Sequence, residues 1–143
     1  MEQWKDIKGY EGLYKISSHG RVKSLKFNKK RILKFCYAGD GRYLKVILFN
    51  NGKLKGFRIH RLVAETFISN FENKLEVNHK DGNAFNNNVS NLEWVTHKEN
   101  IHHSRHISKS GAVISVKKIK LLHFKNPNLI LQDFVNLLIN NCN

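Results

Sequence analysis

His79 and three asparagines, Asn78, Asn91 and Asn100, carry the clearest chemical potential in this chain of 143 residues. Residues 77–100 read Val-Asn-His-Lys-Asp-Gly-Asn-Ala-Phe-Asn-Asn-Asn-Val-Ser-Asn-Leu-Glu-Trp-Val-Thr-His-Lys-Glu-Asn. A strand-like run ends in Asn78-His79, and an Asn-rich loop follows. The chain restarts in Asn91-Leu92-Glu93-Trp94-Val95 and enters a helix-compatible segment carrying Asn100. Imidazole is largely unprotonated near neutrality, so a positioned histidine can take up a proton there. Taken singly, the same residues have plainer roles: a buried histidine donating to a backbone carbonyl, or an ordinary turn asparagine.

Together, their order and spacing resemble the HNH nuclease motif, in which two short strands and a helix grip one metal ion and aim one histidine. The match is nearest to the HNH homing endonucleases of bacteriophages. Phosphodiester hydrolysis requires an activated water, relief of charge on the phosphate, and stabilisation of the departing 3′ oxygen. The resemblance implies that His79 is the general base and that one divalent ion serves the other two needs. It implies that Asn91 hydrogen-bonds backbone across the loop, holding the strands and the His79 ring. Asn100, nine positions after Asn91, would ligate the ion through its amide oxygen. The broad family carries histidine there, and the phage homing group asparagine.

Asn78 stands where many family members carry an aspartate as the other ligand. An amide oxygen is uncharged and holds a divalent cation more weakly than a carboxylate. The implied site is therefore of low affinity and relies on the scissile phosphate to complete the shell. One Mg²⁺ or Mn²⁺ per site fits oxygen donors, and zinc does not. Asp81 is the nearest carboxylate and is read as shaping the Asp81-Gly82 turn.

Other histidines have smaller roles. His103 follows Asn100 by one helical turn and is a possible auxiliary contact to phosphate or a metal-bound water. His102 and His106 are spaced to chelate a metal but have no third ligand, so they read as solvated or phosphate-facing. His97 and His60, each near a helix start, read as structural.

Positioning these groups takes an α+β architecture in three sections. Residues 1–58 are a basic, antiparallel strand-rich DNA-binding region, 59–107 a ββα-metal nuclease core, and 108–143 a linker with a two-helix tail. In the first, Leu13 to Ser17 and Arg21 to Leu25 flank Ser18-His19-Gly20 as a tight hairpin. Tyr43 to Phe49 and Lys55 to Ile59 form a second hairpin about Asn50-Asn51-Gly52. Lys26 to Lys34 is too polar for a core strand. The segment from Trp4 to Leu25, with Gly9-Tyr10-Glu11-Gly12-Leu13-Tyr14 and Gly20-Arg21-Val22, resembles a small N-terminal module that precedes phage HNH nucleases.

His60, Val63, Ala64 and Phe67 recur at helical spacing, predicting one inward face. In the ββα unit, Thr96 with Glu99 predicts a capping box, placing Asn100 one turn into a helix that faces the strands. Ser108 to Gly111 reads as a linker. Val116 to Phe124 and Leu129 to Leu138 are amphipathic helical patterns broken at Pro127. The pair resembles a truncated helix-turn-helix, and packing on the domain is the favoured expectation.

The net charge of +14 is uneven. Sixteen Lys or Arg against four acids lie up to Arg61, and nine against seven lie beyond it. A basic front half suits a polyanion, and its basic residues sit in strand-like segments rather than on an amphipathic, membrane-surface helix. Candidate phosphate contacts are Arg21, Lys23, Lys29, Lys30, Arg31 and Arg42, with Tyr14, Phe27 and Tyr43 packing among them. Taken singly, each reads first as a solvated surface charge. Cys36 and Cys142 are too few for a disulfide framework, the N-terminus is not a signal peptide, and no apolar run spans a membrane.

The resulting expectation is a phage-encoded, homing-type, metal-dependent DNA endonuclease acting in the host cytoplasm. Its partner would be double-stranded DNA. A monomer with one active site would nick one strand, and a double-strand cut would take a dimer or a second encounter. A non-catalytic DNA-binding descendant of such a nuclease, and an RNA-binding protein, are the alternatives.

Overall fold

The computed structural model describes residues 1–39 and 41–110, with side chains as far as Arg105. Helix α1 (Ile59–Phe67) is the element around which three small sheets gather. Its first residues follow Arg58, which offers no side-chain cap. Nine residues without a cap cannot hold a helix alone, so burial of Ile59, His60, Leu62, Val63 and Ala64 stabilises it. That face packs on strands from all three sheets.

The first sheet runs in the order β1 (Trp4–Asp6), β2 (Tyr14–Ser17), β3 (Val22–Ser24), β4 (Arg31–Ile32), and all its pairs are antiparallel. The expected first hairpin is there, with Ile16 opposite Val22. The polar stretch after it contains more structure than expected. A 3-10 turn (Lys26–Asn28) leads into β4, a short exposed edge strand on β3. An edge strand leaves one side in solvent, which is why charged residues are tolerated there.

The second sheet joins β5 (Cys36–Ala38), β6 (Tyr43–Asn50) and β7 (Lys53–Arg58). Strand β6 alternates Leu44, Val46 and Leu48 inward with Lys45, Ile47 and Phe49 outward. Asn51 and Gly52 both take positive φ, 48° and 74°, which matches the twist of a two-residue hairpin. Ile59, expected to end this hairpin, instead opens α1. The third sheet is the antiparallel pair β8 (Glu76–His79) and β9 (Leu92–Val95), followed by α2 (His97–Ser110).

Helix α2 runs through Ser108, Lys109 and Ser110, which were expected to be linker. A helix nucleated at a good cap propagates through such residues at little cost. The two amphipathic segments from Val116 to Leu138 lie outside the described residues, as does Cys142. No helix among the described residues is long and apolar enough to cross a membrane.

His60 is buried in α1, and its Nδ1 has no hydrogen-bond partner among the described residues. Burial above all, then the neighbouring His79, Arg58 and Arg61, pushes its pKa from 6.5 down to about 3. The unfolded chain takes up this proton below about pH 6.5, whereas the folded chain resists it until about 3. Stability should hold above pH 7 and fall through that window, by at most about 1.4 kcal/mol per pH unit. Thermal unfolding between pH 7.5 and 4.5 should show this, and His60→Phe should have a flatter acid limb. An equally steep limb in the variant would assign the acid sensitivity to other groups.

Candidate active site

Strands β8 and β9 pair in a register that sets Asn78 opposite Glu93 and His79 opposite Leu92. The loop between them is tied by side chains of its own. Asn91, ending the 3-10 turn Val89–Asn91, accepts from Asp81 N through Oδ1 at 3.1 Å. Its Nδ2 donates to Asp81 Oδ1 and to Asn86 O, each at 2.9 Å. Asp81 also accepts from Asn83 N and Asn86 Nδ2, both at 2.8 Å. Gly82, at φ 71°, returns its N–H to His79 O. One asparagine and one aspartate thus fold the loop back on the end of β8.

His79 is 5% exposed and packs edge-on against His60, with ring centroids 5.2 Å apart. Tyr43 stacks on His79 with ring centroids 6.3 Å apart and lies tilted against His60 at 4.8 Å. His79 Nε2 lies 3.2 Å from Asn87 Oδ1. Asn87 Nδ2 donates to Phe85 O, which fixes its oxygen toward the imidazole. Nε2 must then carry the proton, leaving the Nδ1 lone pair to accept another. Burial holds the His79 pKa below the usual range, opposed by the Asn87 bond and the Asp81 charge. The ring is kept neutral and aimed.

On α2, Thr96 and Glu99 form the capping box: Glu99 N donates to Thr96 Oγ1 at 3.3 Å, and Thr96 N to Glu99 Oε2 at 2.7 Å. Asn100 therefore sits one turn in, where its Nδ2 donates to Glu76 Oε2 at 2.6 Å. His97 Nδ1 donates to Glu76 Oε1 at 2.7 Å. These two bonds, Asn100 first, hold the Glu76 carboxyl below its usual pKa. Asn78 is buried, and its Nδ2 donates to Glu93 Oε1 at 2.9 Å. His103 Nε2 donates to Lys80 O at 3.1 Å, buttressing α2 against the end of β8.

A divalent ion fits the donor chemistry. A carboxylate can only accept, so the amide NH₂ groups of Asn78 and Asn100 face Glu93 and Glu76. Among the described residues neither amide oxygen has a hydrogen-bond donor. Hard oxygen donors suit Mg²⁺ or Mn²⁺. Among the described residues there is no cluster of three or more His, Cys, Asp or Glu that could hold a metal, so an ion here would rest on the amides. His102 is exposed, and the side chain of His106 lies outside the described residues.

The candidate DNA contacts divide. Arg21 is paired with Glu2, through Nε at 2.9 Å and a second bond from Nη2. Lys23 Nζ lies 3.8 Å from the Trp4 ring centroid. Lys29, Lys30 and Arg31 are exposed along the approach to β4, and Arg42 is exposed before β6. Tyr14 and Tyr43 do pack with basic side chains, Lys26 Nζ lying 5.0 Å from the Tyr14 ring centroid and Arg58 5.3 Å from that of Tyr43, although Tyr14 is also a core residue; Phe27 is 90% exposed.

Sequence reasoning missed Asn87, Glu76, Glu93 and Tyr43 as parts of the site. Asn87 stands among identical neighbours in Asn86-Asn87-Asn88, which no residue type distinguishes. Glu93 was legible in principle, because pairing the two strands sets it across from Asn78.

Residues 2–49 match the NUMOD4 motif, and residues 57–102 match the HNH endonuclease family. The chain is 41% identical over 137 residues to DNA endonuclease I-HmuI of Bacillus phage SP01, covering 92% of this chain and 77% of that protein. It is 44% identical over 104 residues to the uncharacterized HNH endonuclease L245 of Acanthamoeba polyphaga mimivirus, covering 73% of this chain and 30% of that one. It is 36% identical over 101 residues to H-N-H endonuclease F-TflII of Escherichia phage T5, covering 69% and 50%. The solved structure of the HNH homing endonuclease I-HmuI, described as DNA binding and cleavage by that enzyme, superposes with a TM-score of 0.65 at 44% identity. It covers 87% of this chain and 68% of that one. A neutral, tethered histidine at the end of a ββα unit and these likenesses in sequence and fold lead to one conclusion: the chain belongs to the HNH endonuclease family, phage homing type.

Proposed function

We propose that the protein is a metal-dependent DNA endonuclease of the homing type that hydrolyses one phosphodiester per active site, nicking one strand of the duplex per chain. The observation that carries this reading is the His79 ring, held neutral with Nε2 on Asn87 and Nδ1 left as the acceptor. His79 Nδ1 takes the proton of the attacking water. Asn91 acts one step back, holding the loop that carries Asn87. Asn78 and Asn100 would hold one Mg²⁺ or Mn²⁺, which when bound relieves phosphate charge and stabilises the departing 3′ oxygen. His103 fixes α2 to the loop. The exposed Lys29, Lys30 and Arg31 supply affinity for the duplex backbone through counterion release, with Arg21, Lys23 and Arg42 contributing less because each already has a partner.

The test is metal-dependent nicking of supercoiled plasmid. His79→Ala should lower the rate by about two to four orders of magnitude and leave DNA affinity nearly intact. Near wild-type cutting by this variant would remove the general-base assignment, and no cutting by the wild-type chain under any divalent ion would favour a binding module.

Asn100→Ala should shift the Mg²⁺ dependence of nicking to higher concentration, since one oxygen donor is removed. An unmoved curve would put the ion elsewhere.

For the basic segment, replacing Lys29, Lys30 and Arg31 together by Gln should weaken binding to all sequences alike. The slope of log affinity against log salt should flatten by up to about 0.9 for each phosphate no longer neutralised. Site preference should survive, because side chains that hold phosphates position a protein without reading bases. Titrations at several salt concentrations decide it. An unchanged slope would move the DNA path toward the β6–β7 hairpin.

A further inference from the structure

Two neutral amides are a weak claim on a divalent cation, and the family's more usual aspartate is absent at Asn78. Each of the two amides, however, is backed by a carboxylate. Asn78 Nδ2 donates to Glu93 Oε1 at 2.9 Å from the directly opposed position on β9. Asn100 Nδ2 donates to Glu76 Oε2 at 2.6 Å. The same arrangement occurs twice, once within the β8–β9 pair and once between α2 and β8.

Donating an amide N–H to a carboxylate has two consequences. It fixes the amide rotamer, because a carboxylate cannot donate, so the oxygen is turned away from the carboxylate. It also draws electron density toward that oxygen, since the donating nitrogen gains positive character and the amide resonance shifts to match. An amide so held is a better oxygen donor than a free one. The charge that an aspartate would bring stands one hydrogen bond further from the ion.

We propose that Glu93 is a positioning residue for the metal site, acting through Asn78: it orients the amide oxygen toward the ion and supplies the negative charge that Asn78 lacks. The inference rests on the reading of Asn78 as a ligand. It also bears on placing an aspartate at position 78. Asn78→Asp alone would set two carboxylates face to face within hydrogen-bonding distance, and their repulsion would offset the added charge. Asn78→Asp combined with Glu93→Gln keeps one negative charge and one hydrogen bond, with donor and acceptor exchanged.

The experiment measures Mn²⁺ binding to the full chain by the loss of the free-ion electron paramagnetic resonance signal, alongside plasmid nicking. Glu93→Gln is isosteric and should weaken Mn²⁺ binding by about tenfold to a hundredfold, the range for removing a hydrogen-bond partner of a metal ligand. Asn78→Asp with Glu93→Gln should return binding to the wild-type value or tighter. In an Asn78→Ala background, Glu93→Gln should change binding by no more than about twofold, because the route through the amide is gone. Unaltered Mn²⁺ binding by Glu93→Gln, in a protein whose wild type binds Mn²⁺ and nicks plasmid, would overturn the inference alone. So would an undiminished Glu93→Gln effect in the Asn78→Ala background, which would make Glu93 a direct ligand or a distant charge. If the wild type binds no Mn²⁺ without DNA at concentrations where it nicks plasmid, the carboxylates do not make up for the missing aspartate and the inference falls, with the ion then completed by the scissile phosphate. Mn²⁺ binding by Asn78→Ala as tight as the wild type's would remove Asn78 as a ligand as well.

Discussion

The hydrogen bond from His79 Nε2 to Asn87 Oδ1 is the constraint on which the site depends. A neutral imidazole has two tautomers, and only one leaves Nδ1 as the acceptor. Choosing between them takes an acceptor that cannot rotate into a donor. Asn87 meets that need because its own NH₂ is committed to Phe85 O. The loop that carries Asn87 is held in turn by Asn91 and Asp81. Most of the Asn-rich run is thus a scaffold for one proton on one ring nitrogen.

Burial supplies the second half of the arrangement. His79 lies against His60 and Tyr43, on α1 and β6. The surroundings of His79 are therefore shaped by elements outside the ββα unit that bears it. Desolvation keeps both imidazoles uncharged, at the cost of a buried His60 nitrogen without a partner among the described residues. A nuclease core lifted out of this chain without α1 and β6 would lose the surroundings that hold its histidine neutral.

Elements with a strong local code were legible in the sequence. The two hairpins follow from Ser18-His19-Gly20 and Asn51-Gly52, and α2 from Thr96 and Glu99, because turn and cap residues act over three or four positions. Strands β1, β4 and β5 were missed. They are two or three residues long, too short for periodicity to register, and exist only because a neighbour pairs with them. At the site, His79, Asn78, Asn91 and Asn100 were found through motif spacing. Asn87, Glu76 and Tyr43 were not, because their parts depend on tertiary approach. Glu93 lies between these cases, since its position follows from strand register while its partner's amide orientation does not.

Gly20, at the tip of the first hairpin, takes φ 83°, and a Cβ there would lie 2.7 Å from Asn87 Cβ. Beside it, Val89 N donates to Ser18 O at 2.8 Å. The N-terminal module is therefore no detachable address label joined to a nuclease. Its turn is pressed against Asn87, the hydrogen-bond partner of His79, so the two matched segments share a seam that recombination could not cut freely. Exchanging front halves among such chains would preserve the surroundings of His79 only where the incoming hairpin also brings a bare backbone to that point, which makes one glycine a compatibility requirement between modules.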